Sequence, residues 1–200
     1  MNVARIDEGL WRWSSPHPDW REGADWDPEV ASVYAEVPGA IVLVDPLVPT
    51  DPVQAERFLV HLDGDVERLR VPVVIVVTVS WHRRSADALA ARYPGARIVG
   101  AGEDGDAPEG VVLVPAPAAE EVVVWMPGHR ALVPGDALLG DGAGGVRRCP
   151  PDWLPDGSSD ALLREQLAPL LELGAERLLL SHGPPVLEGA GTALRAALEA

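Results

Sequence analysis

The sequence predicts an α/β protein in which helices pack outside one or two central sheets. Three observations predict it. Strands come first, as neighbours joined by a tight turn. Later strands alternate with helical segments. Between them lies an almost purely β-branched run, Val73–Val77, of the kind that forms an interior strand covered on both faces.

The elements follow in order. Trp11 and Trp13 alternate like one face of a strand, and Pro16, Pro18 and Pro28 forbid a long helix nearby. "VASVYAEV", Pro38-Gly39 and "AIVLVD" read as strand, turn, strand. Asp45-Pro46 ends the second strand. Asp51 is placed to cap a helix over Val53–Leu62, with Pro52 in its first turn. After Val73–Val77, a helix is expected over Ser85–Tyr93, stopped by Pro94-Gly95, and then a short strand, "ARIVG". "AGEDGDAPEG" is a loop by its glycine, aspartate and proline content. "VVLVPA", "EVVVWM" and "RALVPGD" are three more strands, the last two separated by a Pro-Gly turn that holds His129. "ALLGDGAGGVRRCPPDWLPDG" is the longest irregular stretch. An amphipathic helix over Asp160–Leu171, a strand over Arg177–Leu180 and a helix from about Thr192 close the chain.

The 200 residues suit one domain over 1–200, with a tryptophan- and proline-rich segment, 1–30, packed on it. The net charge is -15 and every side-chain base other than histidine is an arginine, a field that disfavours nucleic acid and anionic membrane surfaces as partners. A single thiol, Cys149, and the lack of a recognisable signal peptide give a cytoplasmic expectation. No apolar run reaches the roughly 20 residues that span a bilayer. Phosphate-loop and Gly-x-Ser-x-Gly motifs are absent. Cys149 lies beside Arg147 and Arg148, which would lower its pKa, but no histidine is close in sequence, so it is expected to be structural. Trp125 is expected in the core. Trp11, Trp13, Trp20 and Trp26 either pack the N-terminal hairpin, the default, or cover the edge of a site.

The residues able to do chemistry are few. His82 follows the strand Val73–Val77, Asp136 follows Ala131–Val133, and His182 follows Arg177–Leu180. In layered α/β folds, side chains just beyond strand ends gather at one edge. Imidazole and carboxylate arriving together suit zinc.

The order "IVLVDPLVP", "VVTVSWHRRSADALAARYPGARIV", "VVVWMPGHRALVPGDALL" and "LLLSHGPPVL" resembles the metallo-β-lactamase superfamily, from about Ser32 to Pro185. The resemblance implies a four-layer αββα sandwich, a site along one edge of two sheets, and hydrolase chemistry on two zinc ions. Its Thr-His-x-His-x-Asp-His motif, laid from Thr78, puts the four ligand positions on Val79, Trp81, Arg83 and Arg84, and none matches. A further histidine should fall in "VPAPAAEE", and none is there. Asp136 and His182 carry over directly. His82 matches only if the loop slips by one residue.

Two functional readings follow from this eroded motif. In one, a hydrolase of a small substrate keeps a single zinc, iron or manganese ion on His82, Asp136 and His182. Asp136 would bind the ion, His82 would be third ligand or general base, and His17 would reach in as fourth ligand or proton shuttle. In the other, no metal is bound. Arg83 or Arg84 replaces it, Arg84 pairs with Asp136, and the same edge takes a small anionic ligand or a protein partner. Two like charges 4 Å apart repel by roughly 4 kcal/mol at an effective dielectric of about 20, so an inward arginine opposes a dication.

Overall fold

A computed structural model describes residues 1–200. Six strands form the first sheet: β1 (Asn2–Asp7), β2 (Leu10–Pro16), β3 (Glu29–Val37), β4 (Ala40–Val44), β5 (Val73–Val77) and β6 (Arg97–Gly100), side by side in chain order. β1 to β4 are antiparallel and β4, β5 and β6 parallel. Pro38-Gly39 makes the β3–β4 turn, with Gly39 at φ +74° and Val37 opposite Ala40. The second sheet has the order β12 (Arg177–Leu178), β9 (Ala131–Val133), β8 (Glu121–Met126), β7 (Val112–Ala116), with only the β12–β9 pair parallel. β10 (Leu138–Gly140) and β11 (Val146–Arg148) make a separate hairpin.

Three apolar clusters define the layers. Val42, Val74 and Val76 of the first sheet meet Val124, Met126 and Val133 of the second between the sheets. The first sheet's outer face, through Leu43 and Ile75, packs on α1 (Pro52–Leu69) and α2 (Ala86–Arg92). The second sheet's outer face, through Val123, Trp125 and Leu132, packs on α3 (Asp160–Leu167) and α4 (Ala190–Glu199). Helices thus cover both sheets from outside. No helix is long and apolar enough to cross a membrane.

Several expectations are corrected. β1 was not anticipated, because its side chains are exposed on both faces and leave no alternation to read. β10 and β11 lie inside the stretch expected to be irregular. Their glycine-rich turn is organised by Asp141, whose Oδ1 accepts from Ala143 N (2.7 Å) and Gly145 N (2.8 Å). α1 runs on to Leu69, and its cap is as expected, with Asp51 Oδ1 accepting from Gln54 N at 2.9 Å. α3 stops at Leu167 and continues as a 3-10 turn over Ala168–Leu173, since Pro169 has no N–H to offer an α-helical bond.

The site is positioned by strand ends. β4, β5, β9 and β12 all finish at one edge, and the residues just beyond them are Asp45, Thr78, Asp136 and the segment Leu179–His182.

Candidate metal centre

Beyond β5 the chain turns through a short 3-10 helix, Ser80–Arg83, which carries His82 inward. His82 is only 4% exposed. Its Nδ1 lies 2.9 Å from Asp45 Oδ2. Asp45 also accepts from Thr78 N (2.8 Å) and Thr78 Oγ1 (2.5 Å). With Asp45 accepting, Nδ1 carries the proton, and Nε2 faces the centre. It lies 3.2 Å from Asp136 Oδ1.

Asp136 sits in the turn after β9, in Pro134-Gly135-Asp136. A Cβ on Gly135 would come within 2.5 Å of Thr78 Oγ1, so only glycine fits there. Asp136 Oδ2 accepts from Trp81 Nε1 at 2.8 Å. Its Oδ1 is buried without a hydrogen bond, 3.2 Å from His82 Nε2 and 3.3 Å from His182 Nε2. The turn's backbone N–H groups, from Gly135, Asp136 and Ala137, donate to the Glu121 carboxylate at 2.7–2.8 Å.

His182 follows β12 in "SHGPP". Gly183, at φ +87°, passes Gly140 so closely that an added Cβ would lie 3.0 Å from the Gly140 Cα. Gly140 N donates to His182 O at 3.0 Å. Arg12 Nη2 donates to Leu180 O (3.0 Å) and Gly183 O (2.6 Å). Burial pushes the Arg12 guanidinium down to about 10. Trp26 and Trp153 stand edge-on to the His182 ring, at 5.7 and 6.4 Å between centroids.

The electrostatics are those of a compact buried cluster. Burial and Arg84 press the His82 pKa downward, but Asp45 and Asp136 outweigh them and raise it. Burial would raise the Asp136 carboxyl, yet His82 and His182 hold it well below the usual carboxylate range.

The donor set fits a metal ion. The three ligand atoms lie within 4.8 Å of one another. Donors about 2.0–2.1 Å from a tetrahedral zinc stand roughly 3.3 Å apart, close to the two histidine–aspartate separations here. A buried carboxylate oxygen beside two imidazole nitrogens, hydrogen-bonded to neither, is an orphaned acceptor that an ion would satisfy. The cavity beside it has a volume of about 400 Å³, with His17, Trp26, Trp81, Arg84 and Trp153 in its wall. A larger cavity, about 840 Å³, lies between the first hairpin and α1 against Trp11, Trp13 and Phe58 and brings no ligand cluster together.

The structure thus brings together His82, Asp136 and His182, with His17 in the cavity wall. His17 Nδ1 accepts from Asp19 N at 3.2 Å, which leaves its proton on Nε2, and burial with Arg84 lowers its pKa. The expected Arg84–Asp136 pair is not formed. Arg84 is buried, but its Nη1 donates to Ala31 O (2.9 Å) and Asp45 O (3.0 Å), and its Nη2 to Ser181 Oγ (3.0 Å). Its backbone, at φ +39° and ψ -112°, turns the side chain across to these acceptors. Arg83 points away, paired with Asp87 (2.7 Å) and with Glu103. His129 lies in the β8–β9 turn, as expected, with Nε2 2.9 Å from Glu36 O. Cys149 is corrected in sign. Burial, followed by the charges of Glu121 and Asp136, pushes its thiol up to about 11, against the lowering that its arginine neighbours suggest.

Sequence reasoning missed the supporting residues. Asp45-Pro46 was legible as a strand end, but its partner His82 lies 37 positions on. Glu121 opens a run of valines, and a carboxylate there was a signal that could have been followed. Nothing local marks Arg12 as a clamp on the His182 segment.

No protein-family model matches the sequence, and no curated protein matches it. Solved structures do. The metallo-β-lactamase from Erythrobacter litoralis aligns over 98% of this chain and 90% of that one, with TM-score 0.59 and 18% identity. The metallo-β-lactamase from Pontibacter korlensis aligns over 99% and 98%, with TM-score 0.54 and 19% identity. TMB-1 aligns over 98% and 97%, with TM-score 0.57 and 13% identity. The chain therefore has the metallo-β-lactamase fold. At these identities the likeness defines the architecture, and the site must be argued from its own residues.

Proposed function

We propose that the protein is a hydrolase of a small substrate that works with one metal ion held by His82, Asp136 and His182. The observation that carries this is the unbonded Asp136 Oδ1, 3.2 and 3.3 Å from two histidine Nε2 atoms. A divalent zinc, iron or manganese ion there would supply Lewis acidity toward water and toward a substrate carbonyl or phosphoryl oxygen.

The chain's own residues have separable tasks. Asp45 fixes the His82 tautomer and ring orientation. Trp81 occupies Asp136 Oδ2 and so leaves Oδ1 as the ligand atom. Val79, Trp81, Arg83 and Arg84, where the resembled motif has its ligands, offer no imidazole or carboxylate to a second ion. Trp26 and Trp153 shield the His182 side from water. His17, uncharged near neutral pH and with its proton on Nε2, stands in the cavity wall where it can donate a hydrogen bond to a substrate oxygen.

Elemental analysis of the untagged protein, purified without chelator, tests the reading against Asp136→Asn. About one ion per chain, lost in a variant that still folds, is the expected result. No ion in either protein after incubation with excess zinc would overturn it in favour of a metal-free relative that binds a small ligand at the same edge.

A further inference from the structure

We propose that Glu121 is a positioning residue, which sets the separation of His82 and Asp136 by holding both of their loops. The proposal rests on the one-metal reading above and names a residue that reading does not use.

The Glu121 carboxyl group is 3% exposed and pairs with no arginine or histidine. Burial pushes this carboxyl up to about 8, and a buried polar group without a cation calls for a specific set of hydrogen-bond partners. Here both oxygens are spent on one turn. Oε1 accepts from Gly135 N (2.8 Å), and Oε2 accepts from Asp136 N (2.7 Å) and Ala137 N (2.8 Å). Three successive N–H groups aimed at one carboxylate fix the turn that presents Asp136.

The backbone of Glu121 is tied to the other loop. It bridges Val79, and Val122 N donates to Thr78 O at 2.8 Å. Thr78 and Val79 lead directly into the turn that carries His82. Gly135 is wedged between the two: a Cβ there would meet Thr78 Oγ1 at 2.5 Å and Glu121 Oε2 at 3.0 Å. Main chain on the His82 side and side chain on the Asp136 side therefore meet in this one residue. The 3.2 Å between His82 Nε2 and Asp136 Oδ1 is the distance it governs.

The test uses cobalt(II) as the metal, read by its visible absorption spectrum and by competition with a chelator, on the whole chain and on Glu121→Gln and Glu121→Asp. Amide hydrogen exchange at Gly135, Asp136 and Ala137 is followed in the metal-free proteins. Glutamine keeps the size but turns an NH₂ toward N–H donors. It should weaken cobalt binding about 10–100-fold, alter the spectrum, and speed exchange at the three amides while circular dichroism is unchanged. Aspartate keeps the carboxyl group but falls a methylene short, so it should recover part of the loss. Cobalt affinity and spectrum equal to wild type in the glutamine variant would overturn the proposal. Should the variants fail to fold, the wild-type protein decides: exchange at Asp136 N as fast as in an exposed loop refutes the cradle, and protection supports it. A wild-type chain that takes no cobalt sinks the one-metal reading, and the amide exchange then judges the cradle alone.

Discussion

His82 stands between two carboxylates and does a different thing toward each. Toward Asp45 it is a hydrogen-bonded ring in a fixed orientation; toward Asp136 it is a nitrogen within ligand distance and without a hydrogen bond. Burial makes both relations strong, because the low local dielectric magnifies any charge left unpaired. Cys149 shows the same weighting of burial over sequence neighbours. Its thiol, 5% exposed and pushed up to about 11, should not react with Ellman's reagent at pH 8 until the protein is unfolded. Because the folded pKa lies above the ordinary one of 9.0, its contribution to stability is present below pH 9 and is lost as the pH rises toward 11. Rapid labelling of the folded protein at pH 8 would contradict this. At this scale the sequence is legible where a residue type is rare and sits at a strand end, as Asp136 and His182 do. It is silent on pairing. Arg84 could be placed near Asp136 from sequence, yet its acceptors are two carbonyls and a serine hydroxyl from three distant segments.

Elements are legible in proportion to the contrast of their pattern. Val73–Val77 and the Pro38-Gly39 hairpin stand out because burial on both faces, or a turn that needs φ > 0, demands particular residues. β1 and the β10–β11 hairpin make no such demand. One is exposed except for the half-buried Ile6, and the other is short and closed by a glycine-rich turn, so its strands hide in apparent loop. The helix starts carry their own signal, and α1 gives a measurable case. Asp51→Ala removes the acceptor for Gln54 N and should lower stability by about 1 kcal/mol. In a chain of this size that lowers the melting midpoint by roughly 2–4 °C. A midpoint unchanged in both thermal and urea unfolding would mean that the cap contributes nothing.

For the whole molecule, the decisive fact is that the candidate ligands come from both sheets. His82 follows the first, whereas Asp136 and His182 follow the second, and Arg84 joins β3 and Asp45 to Ser181 across the same edge. An ion held there binds only the assembled fold. At a free concentration about 100 times its Kd it should add about 2.7 kcal/mol, or roughly 5–10 °C to the midpoint. Thermal unfolding with zinc and with chelator should differ by that amount, and Asp136→Asn should abolish the difference. Equal midpoints for the wild-type chain would count against an ion in the folded protein. The architecture itself was legible from the order of elements, whereas the completeness of the site was not, since contacts across the edge join residues up to 171 positions apart. The supports of the three ligands have a consequence for descent. Asp45 serves His82, Glu121 serves Asp136, and Arg12 serves the segment around His182. A lineage that loses one support keeps the other two, so the three side chains can be released one at a time.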